Sequence, residues 1–483
     1  MTLIIAAVHG KPPAQVPGAD MIEIRADDVE LAEAGTLVPS FLEATSLPTI
    51  FTVRSVEEGG TFHGDDAHRI ALLEAALSCK NPPKYIDIEY EILIKQPWLL
   101  DALPLKECGV ILSWHDMVGR PSDLFQRAAA MQDVAGISVV KMAWRARSLR
   151  DNLDAFELLR MKQQPMIALC MGNCGLMSRV LAPKFGGFAT FATIDGHEAT
   201  ADGQPSVHDL RVTYNFDTIN QETKVFGIIG ENTEHSASPA FHNAAFAAGG
   251  INATYLPLPI PSGWEHLKAT MLSLLHDTKL DFSGASITIP HKEHMLKLVE
   301  EEQGNIPVEC KKIGAVNTLL RESVLMATNT DAKAIGTLLQ TPKRVLVLGA
   351  GGVARAAVYA SLQLGATVCI VARRTEQAAS LADEFDCDSG VESCNNIDTI
   401  INCTPVGMKD GPDAEGDPLL GLAPKIQLTS EMTIFDTVYI PEETPLLARA
   451  RAVHCSMISG SEMFRKQAAS QQLFWSTNHN LQN

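Results

Sequence analysis

The sequence predicts an α/β protein in two halves, a closed (β/α)8 TIM barrel first and a Rossmann dinucleotide-binding domain later, with a smaller α/β domain leading into the second. Two observations carry this prediction. The first is the stretch 345–375, VLVLGAGGVARAAVYASLQLGATVCIVARRT. Its four apolar residues 345–348 lead into Gly349, Gly351 and Ala354, the spacing of a turn whose backbone can approach a pyrophosphate and whose helix packs closely on its strand. Val353, Ala356, Ala357, Ala360 and Leu364 then recur at helical spacing, so the helix N-terminus aims its amides at an anion, and a second strand follows over 367–372. Gly349, Ala350, Gly351, Gly352 and Val353 are therefore the candidate cradle. An NAD site wants an acidic residue at the end of that second strand. This chain offers Arg373, Arg374 and Thr375, a pocket for a 2′-phosphate and hence NADP. The second observation is eight short apolar runs at 3–8, 21–27, 49–55, 85–90, 109–116, 137–144, 165–172 and 188–194, with helical periodicity between several of them, clearest over 65–79, 121–133 and 148–161. Eight strands alternating with helices suit a closed barrel slightly shorter than usual.

Composition bounds what such a protein does. At 483 residues, 46% apolar and 20% charged, the chain has room for two to four globular domains. A net charge of −18 argues against nucleic acid or an anionic membrane as partner, so anionic small molecules must be met by local Arg and Lys clusters. The apolar opening is too short and lacks the basic flank of a signal peptide, and no run suits a membrane span. Ten cysteines without a framework fit a reducing cytoplasm. Cys170 and Cys174 lack a second pair at ligand spacing, so they read as buried thiols, and no metal site is expected.

In the first half, charged residues interrupt the predicted strands near their C-terminal ends: Glu23, Arg25, Arg54, Glu89, His115 and Lys141. Barrel active sites form at that face. A ring of salt bridges at the mouth, Glu23 with Arg25 for instance, would account for single members of the set. Lys141 is harder to explain that way. Set between Val139, Val140 and Met142 with arginines near, such a lysine shifts from about 10 toward neutrality and becomes a nucleophile for a carbonyl. His115 is the natural proton shuttle.

The motifs EIR (23–25), FTVRSVEEGG (51–60), SWHD (113–116), VKMA (140–143) and MGNCGLMSR (171–179) resemble type I 3-dehydroquinate dehydratase over about residues 1–212. The resemblance implies that Lys141 forms a Schiff base with the substrate ketone, that His115 removes the adjacent proton and helps water leave, and that Glu58 orients the histidine. It implies that Glu23, Arg25, Arg54, Arg179 and Gln204 hold hydroxyls and carboxylate. Where the family has Ser-Ala-Pro-Gly-Gln in its lid, Thr200, Ala201, Asp202, Gly203 and Gln204 stand. Thr200 keeps the hydroxyl, whereas Asp202 is expected to loosen the loop and to add a negative charge near an anionic substrate.

Residues 213–223 are polar, without a clear period, and read as a linker. A strand over 225–230 opens the second half. Ser236 and Ser238 then lie on a loop with Pro239 starting a helix, an arrangement suited to a carboxylate. EHSASPAFHN, GASITIPHK, GAVNTL, NTD, the nucleotide stretch, INCTPVGM, FDTVYIP and GSEMFRKQA together resemble shikimate dehydrogenase along residues 224–476. By that resemblance Ser236 and Ser238 bind the carboxylate, Thr288, Asn317, Asp331, Tyr439 and Gln467 surround the ring, Lys292 is the acid/base acting with Asp331, and Gly460 adjoins the cofactor. Departures from the family are Asn232, Ser286, Ala327 and Ala334, none of which removes a functional group. The boundaries implied are 1–212 for the barrel, 213–223 for the linker, 224–335 for the substrate domain, 336–455 for the NADP domain, and 456–483 for a helix returning to the substrate domain.

Joined, the halves resemble the bifunctional dehydratase–dehydrogenases of the shikimate pathway, which implies 3-dehydroquinate, 3-dehydroshikimate and shikimate as the small-molecule partners. A Schiff-base aldolase barrel fused to the same type of dehydrogenase, or a half that only senses metabolites, are the rival readings. Three arginines near Lys141 and a full set of reactive residues in both halves weigh against them.

Overall fold

The computed structural model describes residues 1–478, so the last five residues of the predicted C-terminal segment lie outside the described ones. The chain forms two compact units: Met1–Gly227 with Thr233–Ile260 and Thr270–Phe282, and Ile228–Asn232 with Pro261–Ala269 and Ser283–Asn483.

Eight strands open the first unit: β1 Leu3–His9, β2 Met21–Arg25, β3 Thr49–Thr52, β4 Tyr85–Glu89, β5 Gly109–Asp116, β6 Val139–Arg145, β7 Met166–Met171 and β8 Ala189–Thr193. Each lies within one of the predicted runs or overlaps it to a residue or two. Parallel ladders join them in the order β7-β6-β5-β4-β3-β2-β1-β8, the predicted barrel. Closure between β7 and β8 is looser than a ladder and rests on Phe188 N donating to Met166 O at 2.8 Å.

Side chains in a strand alternate with period two, and that period sorts this barrel by chemistry along its axis. Ile5, Ala7, Met21, Ile50, Ile111, Val139, Ile167, Leu169, Ala189 and Phe191 fill one continuous core. Two residues further along several of the same strands the side chains become polar: Glu23 after Met21, Thr52 after Ile50, Asp87 after Tyr85, Ser113 after Ile111 and Lys141 after Val139. The intervening residues, Ile22, Phe51, Ile86, Leu112 and Val140, are buried as well.

The helix predicted over 65–79 runs Asp66–Leu77, with the Asp65 side chain accepting from His68 N as its cap. That predicted over 121–133 begins later, at Leu124, because Pro121, Ser122 and Asp123 form the approach to it. The helix Asp151–Met161 corresponds to the stretch 148–161.

Residues 213–223 are more ordered than their composition suggests. Tyr214, Phe216 and Ile219 are buried, and the buried Lys184 donates its ammonium to Gln221 O and Thr223 O, both at 2.7 Å. Polar periodicity misses this because the segment is held by three buried anchors and one cation, and its regular structure amounts to the single 3-10 turn Phe216–Thr218.

A five-stranded sheet follows, ordered β10-β9-β11-β12-β13, with β9 Lys224–Gly230, β10 Ala253–Pro259, β11 Phe282–Ile287, β12 Thr318–Arg321 and β13 Leu325–Thr328. In the second unit, β14 Arg344–Leu348, β15 Thr367–Val371, β16 Asp388–Ser389, β17 Thr399–Asn402, β18 Thr433–Asp436 and β19 Ser456–Ile458 form a parallel sheet ordered β16-β15-β14-β17-β18-β19. Val345 and Val347 pack on Ala356, Ala357 and Ala360 of the helix Gly352–Gln363, while Leu346 and Leu348 face the opposite layer with Leu419, Leu446 and Leu447. That is the doubly wound arrangement of the predicted Rossmann domain.

Cys369 on β15 and Cys394 form a disulfide with Cα atoms 5.8 Å apart, contrary to the expectation of unpaired thiols. Their 25-residue separation carries no spacing signal, and the fold alone brings them together. Among the described residues no helix is long and apolar enough to cross a membrane.

Charge-assisted hydrogen bonds contribute about 1.5–3 kcal/mol each. Lys184→Met keeps the length of the side chain and removes both bonds to the 213–223 segment. It is expected to lower the first unfolding midpoint in urea and to expose that segment to limited proteolysis. Unchanged cleavage would mean that the three buried side chains suffice.

Candidate active sites

The barrel site is built from strand ends and two loops. Glu23, Arg25, Arg54, Glu58, His115, Lys141, Arg179, Thr200 and Gln204 all line one pocket, together with Phe191, Met117 and Met171. Lys141, 5% exposed, places Nζ 3.3 Å from Glu23 Oε1, 3.3 Å from Asp87 Oδ2 and 4.2 Å from the centre of the Phe191 ring. Its immediate neighbours are therefore carboxylates, where the sequence pointed to arginines.

Those arginines are mostly committed. Arg25 pairs with Asp27 at 2.5 Å, not with Glu23. Arg54 donates to Asp87 (2.7 Å), Glu58 (3.1 Å), Glu89 (3.3 Å) and Ser113 Oγ (2.8 Å). Burial opposes its charge, but the surrounding carboxylates hold its proton more firmly than usual. Arg179 differs. It is 1% exposed, its Nη1 reaches Phe191 O at 3.4 Å, its Nε has no partner, and among the described residues no carboxylate pairs with it. Burial alone pushes it down to about 10. A buried, unmatched guanidinium facing a pocket is a demand for an anion.

His115 Nδ1 lies 2.8 Å from Glu58 Oε2. Burial holds His115 well below its ordinary value, and Arg54, Lys141, Arg25 and Arg179 act in the same direction. Burial also pushes Glu58 up to about 8, against the pull of Arg54.

The sequence did not single out Asp87, Ser113 or Asp27. Asp87 accepts from Ser113 Oγ at 2.5 Å as well as from Arg54, and although burial works against its charge, Arg54 and Lys141 hold it below the usual carboxylate range. Asp27 accepts from Arg54 N (2.8 Å) and Thr61 N (3.3 Å), tying the loop after β3 to β2. The available signal was the alternation Tyr85-Ile86-Asp87-Ile88-Glu89, which puts both acids on one face of a buried strand.

Over the pocket, Thr200 Oγ1 donates to Gln204 Oε1 at 3.1 Å. Asp202, expected to loosen the lid, makes two contacts there. Its carbonyl accepts from Gly172 N at 3.0 Å, and its carboxylate pairs with Arg145 at the end of β6, which matches the added charge.

In the second unit Lys292 opens the helix Lys292–Glu301 and Asp331 lies in the first turn of Thr330–Leu338; both are buried, with Nζ 2.6 Å from Oδ2. Thr288, just after β11, donates its amide to Ile229 O at 2.8 Å. Asn317 accepts from Thr330 N (2.8 Å) and donates to Thr330 Oγ1 (3.0 Å) and Gln467 Oε1 (3.4 Å). Gln467 comes from the helix Gly460–Asn478, as does the buried Gln471, which bonds Ser286 Oγ at 3.0 Å. In the first unit, Ser236 Oγ accepts from Ser238 N at 3.2 Å where the helix Ser238–Ala248 begins.

The glycine turn leaves β14 at the switch point between β14 and β17, where Cys403 N donates to Leu348 O at 2.9 Å. Gly349 takes φ +111°, and a Cβ on Gly352 would meet Lys292 Cδ at 3.0 Å, so the turn lies directly against the Lys292–Asp331 pair. Gly460 admits no side chain because a Cβ would stand 2.1 Å from Val438 O. Tyr439 stacks on Phe464 with centroids 5.3 Å apart. Asp436, fully buried, braces the surrounding loops by accepting from Asn402 Nδ2 (2.9 Å), Val438 N (3.0 Å) and Thr444 Oγ1 (2.6 Å), and this brace too went unread in the sequence.

The residues at β15 fit a phosphorylated dinucleotide. Arg373 and Arg374 are exposed, form no ion pair among the described residues, and precede the free amides of the helix Thr375–Phe385.

Fold and sites together define a lysine-centred barrel enzyme joined to a nucleotide-dependent oxidoreductase. The family description type I 3-dehydroquinase matches residues 11–221, and shikimate dehydrogenase substrate binding domain matches 228–319. The chain is 35% identical to the chloroplastic bifunctional 3-dehydroquinate dehydratase/shikimate dehydrogenase of Arabidopsis thaliana, over 94% of this chain and 77% of the relative. It is 37% identical to the shikimate dehydrogenase (NADP(+)) of Methanocella arvoryzae over 52% of this chain and 92% of the relative. A shikimate biosynthesis protein of Chlamydia pneumoniae is 26% identical over 94% of this chain and 90% of its own length. The chain belongs to the family of bifunctional 3-dehydroquinate dehydratase/shikimate dehydrogenases.

A base at His115 Nε2 requires Nδ1–H to face an ionised Glu58. With the Glu58 proton lost at about 8, the competent form appears as pH rises through that value. Dehydratase kcat/KM should therefore climb on an acid limb near 8, and Glu58→Gln should abolish that limb. A limb that persists in Glu58→Gln would assign it to another group.

Proposed function

We propose that the barrel dehydrates 3-dehydroquinate to 3-dehydroshikimate through an imine on Lys141, and that the second half reduces this ketone to shikimate with NADPH. The observation that carries the dehydratase reading is Arg179, a buried cation without a counter-ion in the pocket that also holds Lys141 and His115. A substrate carboxylate supplies the missing charge.

In this reading Lys141 replaces the ketone oxygen, which leaves as water. The imine, carrying its proton, withdraws electrons and acidifies the adjacent carbon. His115 Nε2 takes a proton from that carbon, Glu58 steadies Nδ1, and the histidine returns the proton to the departing hydroxyl. Glu23, Arg25, Arg54, Thr200 and Gln204 hold the ring oxygens.

In the second half the bound nicotinamide supplies hydride to the carbonyl carbon. Lys292 donates a proton to the carbonyl oxygen, with Asp331 fixing the ammonium, supported by their 2.6 Å contact against the nucleotide turn. Ser236 and Ser238 take the carboxylate, and Thr288, Asn317, Tyr439 and Gln467 the ring. Arg373, Arg374 and Thr375 hold the 2′-phosphate, and Gly349, Ala350, Gly351, Gly352 and Val353 the pyrophosphate, with Gly460 beside them.

We assign the catalytic barrel to 1–212, the substrate domain to 224–335 and the nucleotide domain to 336–455. We place the protein in the cytoplasm, a reading supported by its eight free cysteines.

Borohydride added with 3-dehydroquinate should trap an adduct on the peptide bearing Lys141 and stop the dehydratase, while reduction of supplied 3-dehydroshikimate continues. An adduct on a different lysine, or full dehydratase activity in Lys141→Ala, would overturn the imine mechanism.

Lys292→Ala should lower the dehydrogenase kcat far more than it raises KM, because the proton is transferred as hydride arrives. Dehydratase activity should persist. A variant with near-normal kcat would leave Lys292 a binding residue.

A further inference from the structure

We propose that Asp87 is the positioning residue for the imine: it holds Nζ of Lys141 in place and supplies the fixed counter-charge that the iminium keeps. The inference rests on the imine reading above.

Imine formation at a protonated lysine conserves charge. One N–H proton passes to the ketone oxygen and frees the lone pair that attacks the carbonyl carbon, a second follows as that oxygen leaves as water, and one N–H and one positive charge remain on Nζ. A carboxylate that serves both states must not move between them. Two carboxylates touch Nζ, Glu23 Oε1 and Asp87 Oδ2, each at 3.3 Å. Glu23 lies on the pocket wall, accepts one further bond, from Thr52 Oγ1 at 3.0 Å, and is the one a substrate hydroxyl reaches. Asp87 is not a wall residue. Its Oδ1 is clamped by Ser113 Oγ (2.5 Å) and Arg54 Nη2 (2.7 Å), which leaves Oδ2 directed at Nζ from a strand one removed from that of Lys141.

Arg54 and Ser113 also bond each other at 2.8 Å, so the clamp is a closed triangle that the substrate does not have to open. Burial works against the charge of Asp87, but Arg54 and Lys141 hold it below the usual carboxylate range. It therefore acts as a fixed anion and not as a proton carrier, the role left to the His115–Glu58 pair.

The test uses the full chain in a His115→Ala background, where the imine forms but turns over slowly and its rate of formation is read by borohydride trapping and mass spectrometry of the Lys141 peptide. Asp87→Asn in that background should slow trapping on the order of a hundred-fold, as expected for removing one partner of a buried charge pair. On its own, the substitution should lower dehydratase kcat much more than it changes KM. A carboxylate with only a structural role would leave the rate of adduct formation unchanged in the folded variant, and that result would overturn the proposal. Ser113→Ala, which loosens the clamp but keeps the charge, should slow trapping about ten-fold. If Asp87→Asn does not fold, as judged by near-ultraviolet dichroism, an unchanged rate in Ser113→Ala is the overturning result. If the His115→Ala parent forms no adduct on Lys141 at all, the imine reading fails first, which separates the two outcomes.

Discussion

Ten charged side chains are buried at one end of the barrel, and their balance governs everything else there. Glu23, Asp27, Glu58, Asp87 and Glu89 face Arg25, Arg54, Arg69, Lys141 and Arg179, all less than 9% exposed. Isolated charges at such depth cost several kcal/mol each, so the set persists only as a network. Counted formally it is neutral, but burial gives Glu58 a proton until about pH 8, and the site then carries one positive charge in excess. The excess resides on Arg179, the one cation without a carboxylate. A monoanionic substrate restores neutrality, and as a nearby anion it adds to burial in favouring the proton on Glu58. The ionised, base-competent Glu58 therefore has to be supported by the cations around it, which explains why Arg54 contacts it directly at 3.1 Å.

The same network explains the rigidity of the nucleophile. Strand ends fix Cα positions, and each reactive side chain is then held by a second one: Lys141 by Asp87, Asp87 by Ser113 and Arg54, Arg25 by Asp27, His115 by Glu58. Because β2 to β6 run parallel, their inward side chains at equivalent heights meet, and a period-two substitution of polar for apolar residues is enough to build a charged layer above a dry one. Removal of a clamp leaves its buried partner with fewer counterparts, so single substitutions here affect both folding and chemistry.

Much of this was legible in the sequence. Short apolar runs set out all eight barrel strands, the glycine spacing located the nucleotide turn, and the nine barrel residues named from motifs do line one pocket. Asp87 was not legible, since one aspartate in YIDIE looks like any strand-end charge until the register sets it beside Ser113 and Lys141. Which arginine is free was equally hidden: Arg25, Arg54 and Arg179 are chemically alike, and only three-dimensional pairing distinguishes them. Cys369 and Cys394, and the anchoring of 213–223 by Lys184, share this character. Each depends on contacts between segments whose sequence separation carries no periodic signal.

The dehydrogenase centre solves its charge problem by a different route. In place of a network it has one buried pair, Lys292 with Asp331, each at the first turn of its own helix. A cation at a helix N-terminus is unfavourable, so the start of Lys292–Glu301 by itself would repel the ammonium, whereas Asp331 sits where the dipole of Thr330–Leu338 favours an anion. The helix thus stabilises the aspartate, and the aspartate holds the lysine. Gly352 lets the nucleotide turn close onto that lysine without displacing it. A single pair between two helix starts can give up its proton to a ketone and recover it without disturbing other charges, which suits an acid that must donate and be recharged once per turnover. The barrel needs the opposite: a lysine that is cationic before imine formation and cationic again as the iminium, and hence a cage of carboxylates that serves both states.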